Sequence, residues 1–237
     1  MKIVKEFSRF ASEYDTYNVI QKEVAKKLIG YVKNKKYNTI LDLGSGDGGV
    51  YRALLEHSIS FKKFVALDFS KEMLSLHPNA TTIEKICMDF NKVDVSSIFK
   101  HQTIDLLISS SALQWSTNLY SVLSSITQLP TNAYFSFFTA NTFKTLHQTA
   151  NIRSPIYSKS EIIDTLDRLF IYDIDMVEYR LSFNSVHEML RYIKHSGVSG
   201  GVKQLEFKEI KQLMEKYPLD YLEFEVIFVK VKERKQV

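Results

Sequence analysis

Short apolar runs alternate with amphipathic stretches over the first two thirds of the chain. Residues 16–35 carry apolar side chains every three or four positions, which is the spacing of a helix with one buried face. The strand candidates that follow, with helical stretches between them, are 39–43, 64–67, 82–87, 104–108 and 133–138. This alternation predicts right-handed βαβ units around a mostly parallel sheet.

The last third of the chain has a different pattern. Two longer runs rich in strand-forming residues, 170–183 and 221–231, predict an antiparallel pair at one edge of the sheet. Ser158-x-x-Glu161 and Ser185-x-x-Glu188 each have the spacing of a capping box at the start of a helix. We therefore expect an α/β fold with a mostly parallel seven-stranded sheet, flanked by helices, and helical insertions over the sheet.

Composition narrows the class of protein. A chain of 237 residues with 45% hydrophobic content can bury the core of one domain, and a net charge of +4 does not indicate nucleic-acid binding. The single cysteine excludes an internal disulfide and a cysteine-based zinc cluster. This low cysteine content suits a protein of a reducing compartment. No apolar run approaches the ~18 residues of a membrane span. We expect a cytoplasmic protein that acts on neither nucleic acid nor membrane.

The glycines are concentrated in one turn. Four of the eight lie within residues 44–49, directly after the strand candidate 39–43. The turn fits both Gly-x-Gly-x-Gly and Gly-x-Gly-x-x-Gly. In either pattern, glycines let the backbone approach a ligand closely at the N-terminus of the next helix. The turn alone does not show which nucleotide the site binds.

Three carboxylates restrict that choice. Asp68 ends the second strand, 24 residues after Gly44, where an acidic residue accepts hydrogen bonds from ribose hydroxyls. Asp89 closes the third strand and could accept a hydrogen bond from an adenine amino group. Asp42 precedes the turn, where its charge suits a ligand's ammonium group and disfavours a pyrophosphate. The set favours S-adenosylmethionine over NAD(P), which stays the alternative.

These motifs resemble those of the class I S-adenosylmethionine-dependent methyltransferases, with their Rossmann-like fold and Leu-Asp-x-Gly-x-Gly-x-Gly turn, over residues 38–138. The resemblance implies S-adenosylmethionine as cofactor, S-adenosylhomocysteine as its product, and no metal. Arg9 lies ahead of this range, and the narrower resemblance given below implies that it reaches the cofactor carboxylate or the substrate. The remaining residues that the superfamily resemblance assigns to the cofactor are Gly44, Ser45, Gly46, Phe69, Phe90 and Ser110, beside Asp42, Asp68 and Asp89.

Several methyl acceptors are disfavoured by the sequence. The fourth strand leads into serines without a proline, so the Asn/Asp-Pro-Pro-aromatic clamp of enzymes that methylate base or amide nitrogens is missing. Cys87 lies within the third-strand candidate, where we expect a buried, unreactive thiol and not the nucleophile of base methylation. The sequence also lacks a metal cluster for catechol-type chemistry.

A narrower resemblance covers nearly the whole chain. Residues 7–15, 111–115, 138–148 and 190–197 are similar to the malonyl-[acyl-carrier protein] O-methyltransferase family of biotin biosynthesis. This resemblance implies methylation of the free carboxylate of a malonyl thioester, carried by an acidic acyl carrier protein or by coenzyme A. The carboxylate is already anionic near pH 7, so alignment and exclusion of water suffice and no base is needed.

The same resemblance implies roles for individual residues. Arg191 would recruit the substrate carboxylate, with Lys194 one helical turn further on. Tyr14 would close over the cofactor, and His147 would hydrogen-bond to the thioester or the carboxylate. The side chains expected to line the substrate pocket are Gln114, Trp115 and Phe183.

We divide the single methyltransferase domain, 1–237, into four parts. We expect residues 1–37 to form an N-terminal lid and helix, and 38–138 to form the cofactor-binding core. We expect substrate-side helices and a strand over 139–201, and a closing helix and strand over 202–237.

Some features depart from the family pattern or admit other interpretations. Asn141 stands where glycine is more usual, and we expect it to adopt the left-handed backbone that asparagine tolerates. Five N-terminal lysines could steer an acidic carrier or simply form a solvated helix face: Lys2, Lys5, Lys22, Lys26 and Lys27.

Another small carboxylate, such as an aconitate-like acid, is the alternative substrate. A non-catalytic assembly factor that keeps the cofactor pocket is the alternative of another class.

Overall fold

A computed structural model describes residues 17–33, 35–129, 132–195 and 207–235. The strands are β1 Lys36–Leu43, β2 Ser60–Asp68, β3 Ile83–Cys87, β4 Leu106–Ser110, β5 Asn132–Phe138, β6 Phe170–Ser182 and β7 Tyr221–Arg234. The helices are α1 Val19–Gly30, α2 Gly49–Glu56, α3 Lys71–Leu76, α4 Val95–Ile98, α5 Leu119–Thr127, α6 Lys144–Ala150, α7 Lys159–Leu169, α8 Val186–His195 and α9 Phe207–Lys216. A short 3-10 helix spans Leu113–Trp115.

The seven strands form one sheet in the order β3-β2-β1-β4-β5-β7-β6. Strands β1 to β5 are parallel, and β7 lies antiparallel between β5 and β6. The predicted α/β fold with its antiparallel C-terminal pair is therefore confirmed. Because the strand order reverses between β1 and β4, their carboxyl ends form the crevice in which open α/β sheets bind ligands.

Each face of the sheet buries its own hydrophobic cluster. One cluster combines Ile40 of β1 with Leu28 of α1 and extends to Phe224 of β7. On the opposite face, Leu41 of β1 packs in a cluster with Leu166 of α7. Ile40 and Leu41 thus face opposite clusters, which explains why these neighbouring positions of β1 are both apolar.

The two predicted capping boxes differ in the structure. Ser158 forms the complete box at the start of α7, because its hydroxyl accepts from the Glu161 N–H while the Glu161 carboxylate accepts from the Ser158 N–H. At α8, the Ser185 hydroxyl accepts from the Glu188 N–H at 3.1 Å. The Glu188 carboxylate instead accepts from the N–H of Asn184 at 3.0 Å. The second box is thus formed in part.

The prediction of a buried Cys87 is wrong. Cys87 is the last residue of β3, and its side chain is exposed. Strand β3 lies at the edge of the sheet and pairs with β2 alone, so an apolar run in the sequence does not ensure that both of its faces are covered. The Sγ atom lies 3.6 Å from the Phe69 carbonyl oxygen.

The expectation of a left-handed Asn141 is also wrong, since Asn141 is not among the described residues with positive φ. Its side-chain amide instead donates to both carboxylate oxygens of Glu225, at 3.1 Å each. Glu225 lies on β7, is 8% exposed and also accepts from the Thr139 hydroxyl. Asn141 therefore holds the segment that follows β5 against strand β7, at the edge of the sheet that carries the crevice. The left-handed residue in this segment is Phe143, with φ 58°.

Candidate cofactor and substrate site

A cleft opens at the carboxyl ends of β1, β2 and β4, where the strand order reverses. The glycine turn lines it on one side, and Asn18, directly before α1, lines it together with Gln21 and Lys22 of α1. Most of the predicted cofactor residues line this cleft: Gly44, Ser45, Gly46, Asp68, Phe69, Asp89, Phe90 and Ser110. Residues from four distant parts of the sequence thus meet in one place, although their contacts with a cofactor stay predictions.

Gly44 begins the turn in a conformation that requires glycine. Its φ is +79°, and a Cβ placed on it would lie 2.3 Å from the Cβ of Ala112. The N–H groups of Gly44 and Ser45 both donate to the Leu67 carbonyl, at 2.8 and 3.0 Å. The start of the turn is thereby held against β2, which brings the turn next to Asp68.

Asp68 is buried at the end of β2 and bridges two segments. Its Oδ2 accepts from the Gly46 N–H at 2.9 Å, and its Oδ1 accepts from the Ser70 N–H at 2.8 Å. Burial raises the pKa of Asp68 to about 6, while the backbone N–H donors oppose that rise. The nearby carboxylate of Asp47 raises the pKa further. The group therefore gains its charge near neutral pH.

Asp42 is 0% exposed and lies behind the turn, outside the cleft lining. Neither of its carboxylate oxygens has a hydrogen-bond partner among the described residues. Burial raises the pKa of Asp42 well above its ordinary range, and repulsion from Asp68 and Asp47 adds to the rise. Its predicted contact with a cofactor ammonium group stays a prediction, since Asp47 reaches the lining and Asp42 does not.

Asp47 is a cleft residue that the sequence reasoning missed. It occupies a variable position of the glycine turn, lines the cleft and pairs with Arg52 of α2. Asn18 also approaches it, with Nδ2 3.5 Å from Oδ2. Its acidic character between two glycines was the signal that could have identified it.

Asp89 and Phe90 lie after β3 at the far side of the cleft. The Asp89 Oδ1 accepts from the backbone and side-chain N–H groups of Asn91, at 3.0 and 3.1 Å. The Lys92 ammonium group lies 3.6 Å from the other oxygen. Phe90 and Phe69 add aromatic side chains to the lining, which suits a purine base.

The predicted substrate residues are divided between the cleft and its surroundings. Trp115 lines the cleft. Gln114 is buried beside it and donates to the Ser111 carbonyl at 2.7 Å, while its Oε1 has no partner among the described residues. Phe183 packs against Tyr192 of α8, with ring centroids 5.3 Å apart. The roles of these side chains toward a substrate stay predictions.

His147 lies on α6, outside the cleft lining and half-buried. Its ring packs edge-on against Phe143, and its Nδ1 has no partner among the described residues. Burial lowers the pKa of His147, and the carboxylate of Glu223 opposes that change. A neutral imidazole is therefore available near pH 7 as a donor or an acceptor.

The structure places Arg191 and Lys194 on the exposed face of α8, outside the cleft lining. The Arg191 guanidinium group lies 3.4 Å from Nε2 of His187, one turn earlier on the same helix. Their predicted role toward the substrate is not decided by this placement. Arg9 and Tyr14 lie outside the described residues.

The residues of the cleft fit a nucleoside that carries positive charge. Asp47, Asp68 and Asp89 line it and the unpartnered Asp42 lies behind it, whereas Lys22 supplies a positive charge at the α1 wall. An acidic lining attracts a sulfonium or ammonium group and repels a pyrophosphate.

Over the described ranges, the structure contains no group of three or more His, Cys, Asp or Glu residues that could hold a metal ion. Within those ranges, no helix is long and apolar enough to cross a membrane.

Comparison with known proteins supports the resemblance read from the motifs. A family profile described as "Methyltransferase domain" matches residues 41–131. A malonyl-[acyl-carrier protein] O-methyltransferase of Bacillus cereus is 28% identical over 82% of this chain and 79% of its own length. One of Neorickettsia risticii is 25% identical over 95% and 94%, respectively. The predicted resemblance to this family is confirmed.

Solved structures confirm the fold. A Bacillus halodurans chain described as a methyltransferase has a TM-score of 0.61 at 15% identity, covering 91% of this chain and 100% of its own. A Haemonchus contortus phosphoethanolamine N-methyltransferase 2, in complex with S-adenosylhomocysteine, has a TM-score of 0.53 at 13% identity. The match covers 90% of this chain and 52% of that one.

Replacing Gly44 by alanine should destabilise the protein by about 2–4 kcal/mol, because the new methyl group must fit against Ala112 and the backbone stays left-handed. Chemical denaturation measures this loss. Gly49→Ala is the matched control, since a Cβ at Gly49 would have no neighbour closer than 4.0 Å and would stand in a helix. Equal stabilities of the two variants would contradict the account of the turn.

Binding of S-adenosylhomocysteine should strengthen as the pH rises from about 5 to about 7, because Asp68 becomes an anionic acceptor for ribose hydroxyls over that range. The sign follows from the raised pKa: the free site holds a proton below about 6 that binding must displace. Calorimetry in two buffers of different ionisation enthalpy should detect proton release at pH ~6. Asp68→Asn should bind weakly and lose most of this pH dependence. An unchanged pH profile in the variant would remove Asp68 from the ribose role.

Proposed function

We propose that this chain, a class I S-adenosylmethionine-dependent methyltransferase, methylates the free carboxylate of a malonyl thioester to give the methyl ester that primes pimeloyl formation in biotin biosynthesis. The acidic cleft at the carboxyl ends of β1 and β2 carries the cofactor part of the proposal. The names of the relatives and the motifs around Trp115, His147 and Arg191 support the substrate part.

Gly44, Ser45 and Gly46 would hold the cofactor's amino-acid portion, Asp68 its ribose, and Asp89, Phe69 and Phe90 its adenine. Bound S-adenosylmethionine supplies a methyl group on a positively charged sulfur, which a carboxylate oxygen can displace. The acidic residues of the cleft favour that positive charge, and their hydrogen bonds to backbone N–H groups fix them in place.

The reaction requires little acid–base catalysis from the protein. A malonyl carboxylate is anionic near pH 7, so no group needs to remove a proton before the new O–CH₃ bond forms. The protein must align the carboxylate, keep water away and offset its charge. Trp115 supplies an apolar wall at the substrate end of the cleft, and the unpartnered Nδ1 of His147 is available to a thioester or carboxyl oxygen.

Basic groups near the cleft would recruit the charged substrate. Arg191 and Lys194 lie exposed on α8, which suits attraction of an acidic carrier protein or of the malonyl group as it enters. Of the N-terminal lysines, Lys22 lines the cleft, while Lys26 and Lys27 pair with Glu56 and Asp175 at 3.3 and 3.4 Å. Lys2 and Lys5 lie outside the described residues.

Mass spectrometry of a malonyl carrier protein, incubated with the enzyme and S-adenosylmethionine, tests the proposal directly. The expected result is one added methyl group on the malonyl carrier and none on an acetyl carrier, which has no free carboxylate. Malonyl coenzyme A and aconitate in parallel reactions distinguish the carrier preference and the alternative substrate. Methylation of aconitate alone would contradict the malonyl assignment, and binding of S-adenosylmethionine without any transfer would favour the assembly factor.

Arg191→Gln should lower kcat/KM for the malonyl carrier about tenfold while leaving the affinity for S-adenosylhomocysteine unchanged, because it removes a charge outside the cofactor cleft. Steady-state kinetics and calorimetry measure the two effects. Arg168→Gln is the matched control, since Arg168 is an exposed arginine of α7 that stacks on Tyr120. Its helix packs on the opposite face of the sheet from α8. Equal kinetics of the two variants would remove Arg191 from substrate recruitment.

A further inference from the structure

Tyr192 of α8 carries a buried polar atom that the proposed mechanism has not used. The residue is 4% exposed, and its hydroxyl has no hydrogen-bond partner among the described residues. Buried hydroxyl groups in folded proteins are ordinarily paired, because leaving one unpaired costs the free energy of its lost hydration. A partner gained in another state of the protein, such as a bound substrate, is one explanation for such an unpaired hydroxyl.

The surroundings of Tyr192 connect it to the cleft. Its ring packs against Phe183, Phe224 and Tyr17, with centroid distances of 5.3, 6.4 and 6.1 Å. Tyr17 directly precedes Asn18, which lines the cleft and whose Oδ1 also has no partner among the described residues. Tyr192 therefore stands one aromatic ring away from the α1 wall of the cofactor site.

The hydroxyl is a buried polar group on a helix whose neighbouring charges, Arg191 and Lys194, face outward. Arg191 is exposed and contacts His187, and Lys194 is exposed one turn further on. A substrate carboxylate that has passed these charges and entered the protein needs a donor there, since a buried anion without hydrogen bonds is strongly disfavoured. On α8, the side chain that offers one from within the hydrophobic cluster is Tyr192.

The environment also keeps this donor protonated. Burial raises the pKa of Tyr192 above its ordinary value, and no neighbouring charge is among the causes. The hydroxyl therefore stays a neutral donor throughout the pH range in which a malonyl carboxylate is anionic. A neutral donor holds the anion without forming a tight ion pair that would lower the reactivity of its oxygens.

We propose that Tyr192 is a substrate-binding residue that donates a hydrogen bond to one oxygen of the malonyl carboxylate and leaves the second oxygen to accept the methyl group. This inference rests on the proposed function and assigns the interior contact to Tyr192, with Arg191 confined to recruitment.

Tyr192→Phe tests the inference, because it deletes the hydroxyl and keeps the ring that packs against Tyr17, Phe183 and Phe224. We expect kcat/KM for the malonyl carrier to fall about 10- to 100-fold, which is the loss typical of one hydrogen bond to a charged group. Binding of the malonyl carrier to the enzyme saturated with S-adenosylhomocysteine should weaken by a similar factor. The affinity for S-adenosylhomocysteine itself should not change.

The thermal midpoint gives a readout that separates function from structure. Since the hydroxyl has no partner among the described residues of the free protein, Tyr192→Phe should leave Tm unchanged or raise it while activity falls. Tyr179→Phe is the matched control, because the Tyr179 hydroxyl is also buried without a partner among the described residues. It lies on β6 near Lys27, Tyr31 and Asp175. This variant should keep full activity.

Each other outcome overturns the inference. Unchanged kinetics in Tyr192→Phe would show that the hydroxyl does not contact the substrate, and an equal loss in Tyr179→Phe would show a general packing effect. A clear drop in Tm would show that the hydroxyl has an interior partner in the free protein. If the wild-type enzyme methylates no malonyl thioester, the proposed function fails first and the inference fails with it.

Discussion

The burial of carboxylates at one point of the sheet is the constraint on which the site depends. Asp42 is completely buried without a partner among the described residues, and Asp47 and Asp68 are close enough to raise its pKa further. Concentrating acidic groups in this way is unfavourable for the free protein. A ligand that brings positive charge and hydrogen-bond donors would offset this cost, which is the arrangement that the proposed binding of a cationic nucleoside requires.

The fold supplies the rigid frame that this arrangement needs. The carboxyl-terminal halves of β1 and β2 are buried, and the N–H groups of Gly44 and Ser45 donate to the carbonyl of Leu67 where these strands end. After β5, the hydrogen bonds from Asn141 to Glu225 hold the chain against β7. The proposed cofactor end is thus held by strands, whereas the proposed substrate residues of α8 pack through aromatic rings. This difference suits a common cofactor and a variable substrate.

Features encoded by local sequence could be predicted. The glycine turn, the acidic strand ends and the antiparallel β6–β7 pair follow from spacing and apolar periodicity, and the structure contains each of them. Features set by tertiary packing could not be. The exposure of Cys87 depends on β3 being an edge strand, and the cleft position of Asp47 depends on how the turn folds. The proposed interior contact with the substrate goes to Tyr192 and not to Arg191 because Tyr192 is on the side of α8 that faces the interior. The sequence motif alone does not show which side of the helix that is.

The central claim is that the acidic cleft selects a positively charged nucleoside cofactor over a dinucleotide that carries a pyrophosphate. Calorimetric titration of the unmodified protein with S-adenosylmethionine and, separately, with NADH tests this claim most directly, because both ligands share the adenosine group and differ in the charge beyond it. Our account predicts saturable binding of S-adenosylmethionine with one site per chain and no detectable heat of binding for NADH. Binding of NADH as tight as that of S-adenosylmethionine, or tighter, would contradict it.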